Sequence, residues 1–308
     1  MIGGEAHTQT FVSDLGGVSL RQVRQAISPE RYERSTPRAL LGLSFDLGLY
    51  VLALVGVFMA GWPAQILFSI VAGGAVAFLF VWGHDACHGA LFKSRGVSEA
   101  FGTVAMLPSL HMYRLWAFGH NKVHHGFTSL SSVDWTWRPL SPAQYHSASR
   151  ARRVVYRLER HPLTCPVHYL LRVWWPGMIT FRPDPRAKRM RGFRKSQIGM
   201  ALFVVLLSIF AYRDAGGWLG VVMVVVVPFL VFTYLISLFV YLQHTHPKVP
   251  FFGSRREWNA TVGQVRCSTV VRCSRLSEWL THSILVHTPH HVDTRIPYYN
   301  LGAAYTDL

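Results

Sequence analysis

The chain has 308 residues, 50% of them hydrophobic and only 15% charged, and its mean hydropathy is positive. Those proportions exclude an ordinary soluble domain and describe a membrane protein. The formal net charge of +16 comes with no RNA-binding or DNA-binding motif, and the four cysteines (Cys87, Cys165, Cys267, Cys273) form no CxxC pair. A nucleic-acid module and a thiolate zinc or iron-sulfur centre are therefore poor readings.

The first forty residues are polar and charged throughout, so no cleavable signal peptide is expected and the first span should act as the insertion signal. Residues 41–60 and 64–82 are apolar runs joined by a Gly-Trp-Pro turn, with Asp46 as their only charge. Each is about 20 residues, enough for a hydrocarbon layer of about 30 Å. The second run leads at once into HDACH, which carries His84 and His88.

The central region holds two further apolar stretches, 101–110 and 163–179, interrupted by proline, histidine and arginine. Too short or too polar to span, they are expected to be interfacial or re-entrant helices, with Trp174 and Trp175 at headgroup level, or else ordinary core of the cap. Between them lies HNKVHH, with His120, His124 and His125. Arg186, Lys188, Arg189, Arg191, Arg194 and Lys195 form the densest basic cluster.

Residues 198–212 and 217–242 form a second apolar pair around Arg213 and Asp214. At about 1.5 Å per residue the last run exceeds the hydrocarbon layer, so with Pro228 inside it should kink, tilt or protrude. QHTH follows, with His244 and His246, and then His282 and HTPHH, with His287, His290 and His291.

The expected fold is all-α: four transmembrane helices in two hairpins, with a cap built from 83–197 and 243–308, all in one domain. Two hairpins put every long loop on one side. Of the 31 Lys and Arg, only Arg213 falls in an opposite loop, so the termini and the cap are expected to be cytoplasmic. All the histidine clusters then meet at one bilayer edge.

Histidines three or four apart on a helix share a face, so each cluster can aim two or three imidazoles at one point. Imidazole suits iron, zinc, copper and nickel, whereas magnesium and calcium prefer oxygen. Asp85, Asp134 and Asp293 are natural acceptors for the ring N–H groups of such ligands. His7, His111, His146, His161 and His168 stand alone and read as ordinary structural histidines.

The order HxxxH after a span, HxxxHH in the central loop and HxxHH near the C-terminus resembles the integral-membrane fatty acid desaturases and related hydroxylases. The segments GHNKVHHGFTSLSSVDWTW, YLQHTHPKVPFF and HTPHHVDTRIPYYNL are similar to the acyl-lipid branch that includes the omega-6 type. The resemblance implies a non-haem di-iron centre, with two iron ions and dioxygen as co-substrate. It assigns His84, His88, His120, His124, His125, His287, His290 and His291 as ligands. A ninth histidine comes from the YLQH segment, for which His244 is the candidate and His246 the rival. It further implies an acyl lipid or acyl thioester substrate.

With no haem-binding HPGG segment, flavin fingerprint or iron-sulfur cysteine set, a separate electron donor of ferredoxin or cytochrome b5 type is expected. The same motifs fit a fatty acyl hydroxylase or acetylenase. More distant alternatives are a carotenoid hydroxylase or ketolase and a histidine-rich metal transporter.

Overall fold

The computed structural model describes Leu15 and residues 17–181 and 193–308. Of the basic cluster, Arg186, Lys188, Arg189 and Arg191 lie outside the described residues, as does His7. The described residues form helices and turns; their β structure is limited to isolated bridges, Leu130 with Phe252 and Val270 with Val286. Two compact units divide the chain: Met1–Glu33, Phe118–Val173 and Ser237–Leu308 form one, and Arg34–Ala117 and Trp174–Ile236 the other.

A short α1 (Leu20–Gln25) starts at Ser19 with a capping box to Gln22. Among the described residues four later helices are long and apolar enough to cross a membrane: α2 (Thr36–Met59), α3 (Ala64–Cys87), a third at Phe193–Asp214 and a fourth at Trp218–His244. Each outruns the apolar stretch that announces it, because the helical hydrogen bonding continues through the polar residues at its ends. The extension matters most in α3, which runs on past Trp82 and so places His84 on regular helix, with His88 capping its end.

The long helices differ in environment. The most apolar window of α3 is 61% buried, whereas that of Phe193–Asp214 is 6% buried. The latter leaves Leu202, Leu206 and Phe210 exposed, a surface suited to lipid rather than water. Close approach to α3 depends on glycine. A Cβ on Gly42 of α2 would meet the Trp82 ring at 2.1 Å, and one on Gly83 would meet Met106 at 2.4 Å.

Met106 ends α4 (Arg95–Met106), the helix within the 101–110 stretch. Phe101, Ala105 and Met106 are buried, whereas Val97 and Val104 on the same helix are exposed. The other stretch becomes a wide, π-type helix over Tyr169–Thr180. Trp174 donates its indole N–H to the Leu110 carbonyl at 3.0 Å, while Trp175 is 53% exposed.

The fourth long helix contains a π-type turn at Val222–Val226, just before Pro228. Proline lacks an N–H and its ring crowds the carbonyl four residues earlier, and a widened turn accommodates both effects.

The short α5 (Tyr113–Phe118) ends where the first unit resumes, and that unit continues with a π-type turn at Gly119–His124. Later come α6 (Ala260–Val265), α7 (His287–Val292) and α8 (Leu301–Asp307). A core of Ile27, Val286, Val292, Ile296, Leu301 and Ala304 ties the N-terminal segment to the chain around α7 and α8.

Candidate metal centre

The first unit brings four buried imidazoles together. His124 from the π turn, His244 from the end of the fourth long helix, and His287 and His291 from α7 have candidate ligand nitrogens within 4.8 Å of one another. Ligands about 2.1 Å from an ion stand roughly 3.0–3.4 Å apart at angles of 90–110°. His287 Nε2 and His291 Nε2 are 3.1 Å apart, in that range.

The outer ring nitrogens are fixed by acceptors. His244 Nδ1 lies 2.9 Å from the Cys267 carbonyl, which can only accept, so Nδ1 carries the proton. Its Nε2 is then a bare lone pair, buried and with no hydrogen-bond partner. Such an atom costs stability unless something binds it, and a transition-metal ion is the partner its chemistry suits. This atom makes the donor set fit a metal.

His124 is held in the same way. Its Nδ1 lies 3.2 Å from Asp134 Oδ2, and the Asp134 carboxylate also accepts from the Ser129 and Thr136 backbone N–H groups at 3.0 Å each. Burial would raise the Asp134 pKa, but His124 and those N–H groups outweigh it and hold it below the ordinary value. His291 directs Nδ1 to Gln264 Oε1 at 3.1 Å. Burial and the surrounding imidazoles push its pKa well below the ordinary value, so the ring is neutral and able to ligate.

A second group adjoins this quartet within the same unit. His125 Nε2 lies 3.0 Å from His120 Nε2 and 3.1 Å from His290 Nε2. Gln264 on α6 connects the two groups, because its Nε2 donates to the His125 carbonyl at 2.6 Å while its Oε1 faces His291. The other compact unit holds His84 and His88, with ring centroids 4.9 Å apart. His84 Nδ1 lies 3.0 Å from Asp85 Oδ1, which orients that ring as Asp134 orients His124.

The remaining sequence candidates fall elsewhere. His246 is exposed and accepts the Lys248 N–H at 3.2 Å. His282 packs edge-on to Tyr298, and His111 is buried against Ser109 and Phe80. Asp293 serves no ligand ring: it holds Arg295 Nε at 2.9 Å, accepts from Tyr32 and pairs with Arg24, because it follows α7 on the side that meets the N-terminal segment. Gln264 and the Cys267 carbonyl went unseen in the sequence, since neither lies in a histidine motif.

Span-length apolar helices together with buried, acceptor-oriented imidazoles define a membrane protein with histidine groups able to bind metal. The model of the fatty acid desaturase family matches residues 60–308, and the chain belongs to that family. It is similar to the chloroplastic omega-6 fatty acid desaturase of Brassica napus, 30% identical over 304 residues, which cover 94% of this chain and 64% of the relative. The sn-1 oleoyl-lipid 12-desaturase of Arthrospira platensis is 30% identical over 271 residues, 86% of this chain and 74% of its own length. That of a Picosynechococcus species is 29% identical over 312 residues, 97% and 84% respectively. The chain thus spans less than two thirds of the length of the Brassica relative.

Proposed function

We propose that this protein is an oxygen-dependent desaturase that introduces a double bond into an acyl chain, using two iron ions held by nine histidines. One ion sits in the quartet of His124, His244, His287 and His291. The family resemblance assigns His120, His125 and His290 of the same unit, and His84 and His88, as the remaining five ligands. The observation that carries this reading is the His244 ring, with Nδ1 committed to the Cys267 carbonyl and a buried, unpartnered Nε2. The family and the printed activities of the relatives supply the reaction class.

Iron, when bound, would supply the activation of dioxygen that an unactivated methylene requires. The residues themselves orient and neutralise. Asp134, Asp85, Gln264 and the Cys267 carbonyl take the outer ring protons and leave the inner nitrogens as lone pairs. Burial keeps water from the quartet.

Forming a double bond removes two electrons and two protons from the chain, while reducing dioxygen to water takes four electrons. A donor must therefore deliver the other two electrons, and we assign this to a separate ferredoxin or cytochrome b5 type protein. The helices form two hairpins with the histidine-bearing cap and both termini on the cytoplasmic side, supported by the bias of Lys and Arg.

The test is expression of the full chain in a host with a compatible donor, followed by mass spectrometry of its lipids. New double bonds are expected, and His124→Ala and His290→Ala should abolish them while leaving membrane insertion intact. Hydroxylated or acetylenic products would move the assignment to those reactions. Full activity in either variant would remove that histidine from the ligands.

A further inference from the structure

The unit that carries the quartet also contains a cavity of about 1290 Å³, lined by none of the nine candidate ligands. Its wall includes Arg138, Arg152, Arg160 and Arg172 but a single carboxylate, Glu159. Glu159 is already committed, since Arg172 Nε donates to it at 2.8 Å. Among the described residues no carboxylate accepts a hydrogen bond from Arg138, Arg152 or Arg160, and Glu159 acts on Arg160 only through space.

Arg160 is the most constrained of the three. Its guanidinium donates to the Trp137 carbonyl and lies 4.8 Å from the centre of the Tyr156 ring. Arginine stays charged even when partly desolvated, so its cation is fixed in place rather than free to seek solvent.

Behind it, the His168 ring stacks on Trp137 at 4.0 Å, with a buried Nε2 that has no hydrogen-bond partner. Burial, then Arg160 and Arg172, push the His168 pKa down to about 3, so this ring adds no charge. The wall therefore carries a positive excess, held in place at Arg160 and exposed at Arg138 and Arg152, with polar and aromatic surface around it.

Such a wall selects its occupant. A purely cationic ligand would be repelled, and an uncharged sugar would leave three guanidiniums uncompensated. A phosphate ester matches the planar donor forks of arginine. The volume exceeds the roughly 300–1,000 Å³ typical of drug-sized ligands, so it admits a whole headgroup or a nucleotide.

We propose that this cavity binds the phosphate-bearing carrier end of the acyl substrate, with Arg138, Arg152 and Arg160 as its anion ligands. The inference rests on the desaturase reading for calling that ligand a substrate, and it leaves open whether the phosphate belongs to a phospholipid or to coenzyme A.

The full chain in neutral detergent, titrated separately with coenzyme A and with dihexanoyl-phosphatidylglycerol, tests it by thermal shift. One titrant should raise Tm saturably and thereby identify the source of the phosphate. The double variant R138Q/R152Q should weaken that binding by roughly tenfold or more, and R152Q, which leaves the Arg138 bond to the Ser131 carbonyl intact, should weaken it in the same direction. Absence of a saturable shift with both titrants, or native affinity in the double variant, would overturn the proposal. So would native titrant binding combined with weakened binding of an acidic ferredoxin, which would assign the arginines to the donor instead. This measurement needs neither metal nor turnover, so binding without any desaturation would sustain the site and overturn only the catalytic reading.

Discussion

His244 Nδ1 donates to the Cys267 carbonyl at 2.9 Å and so leaves its Nε2 bare among three other buried imidazoles. The exposed His246, two residues on, has no such setting. His244→Ala should lower bound iron from two ions per chain to about one, while His246→Ala retains both. Metal analysis of the purified variants checks this, and equal loss in both would remove His244 from its assigned place.

Gln264 touches both histidine groups of its unit, at the His125 carbonyl and at His291 Nδ1. Gln264→Leu should weaken metal retention by about 10–100-fold, the usual cost of removing a group that orients a ligand. Competition with a chelator measures it. Native retention would mean that His125 and His291 hold their positions without the amide.

The histidine clusters were legible because their spacing is a property of the local chain, and the four apolar helices because hydropathy survives without tertiary context. What escaped depends on long-range folding. Cys267 reaches His244 from 23 residues away, and Gln264 reaches His125 from 139. Hydropathy also ended α3 at Trp82, where polar residues begin, although the helix continues to Cys87. Asp293 stands two residues from a ligand, yet the packing of Arg24, Tyr32 and Arg295 sends it elsewhere.

The N-terminal segment is pinned to α8 by charge. Arg31 and the Ser28 N–H both donate to the Asp307 carboxylate, at 3.1 and 3.0 Å. Donation from Arg31, then from Ser28, holds the Asp307 pKa below its ordinary 3.8. A carboxyl with a depressed folded pKa contributes stability above its unfolded pKa and loses it as pH falls through the lower folded value. Hydrogen-exchange protection of residues 28–32 should therefore be constant near neutrality and drop below about pH 4. Arg31→Gln should flatten that dependence, and an unchanged profile would show that apolar packing alone holds the segment.

Gly42 gives Trp82 room to pack and to donate its indole N–H to Asp46 at 2.6 Å. Trp82 is fully buried and has little space to retreat. Gly42→Ala should cost about 1–3 kcal/mol, as overpacking of a filled site does, and should lower Tm in detergent. A native Tm would show that α2 shifts without cost.

On the proposed function, histidine-bound iron, two ions per chain, is what oxidises the acyl substrate. Apoprotein reconstituted with graded amounts of iron, then supplied with acyl lipid, reductant, donor protein and dioxygen, tests it most directly. Double-bond formation should rise with iron and saturate at two ions per chain, and zinc-loaded protein should form none. Product that does not depend on iron loading, or that forms equally with zinc, would contradict the account.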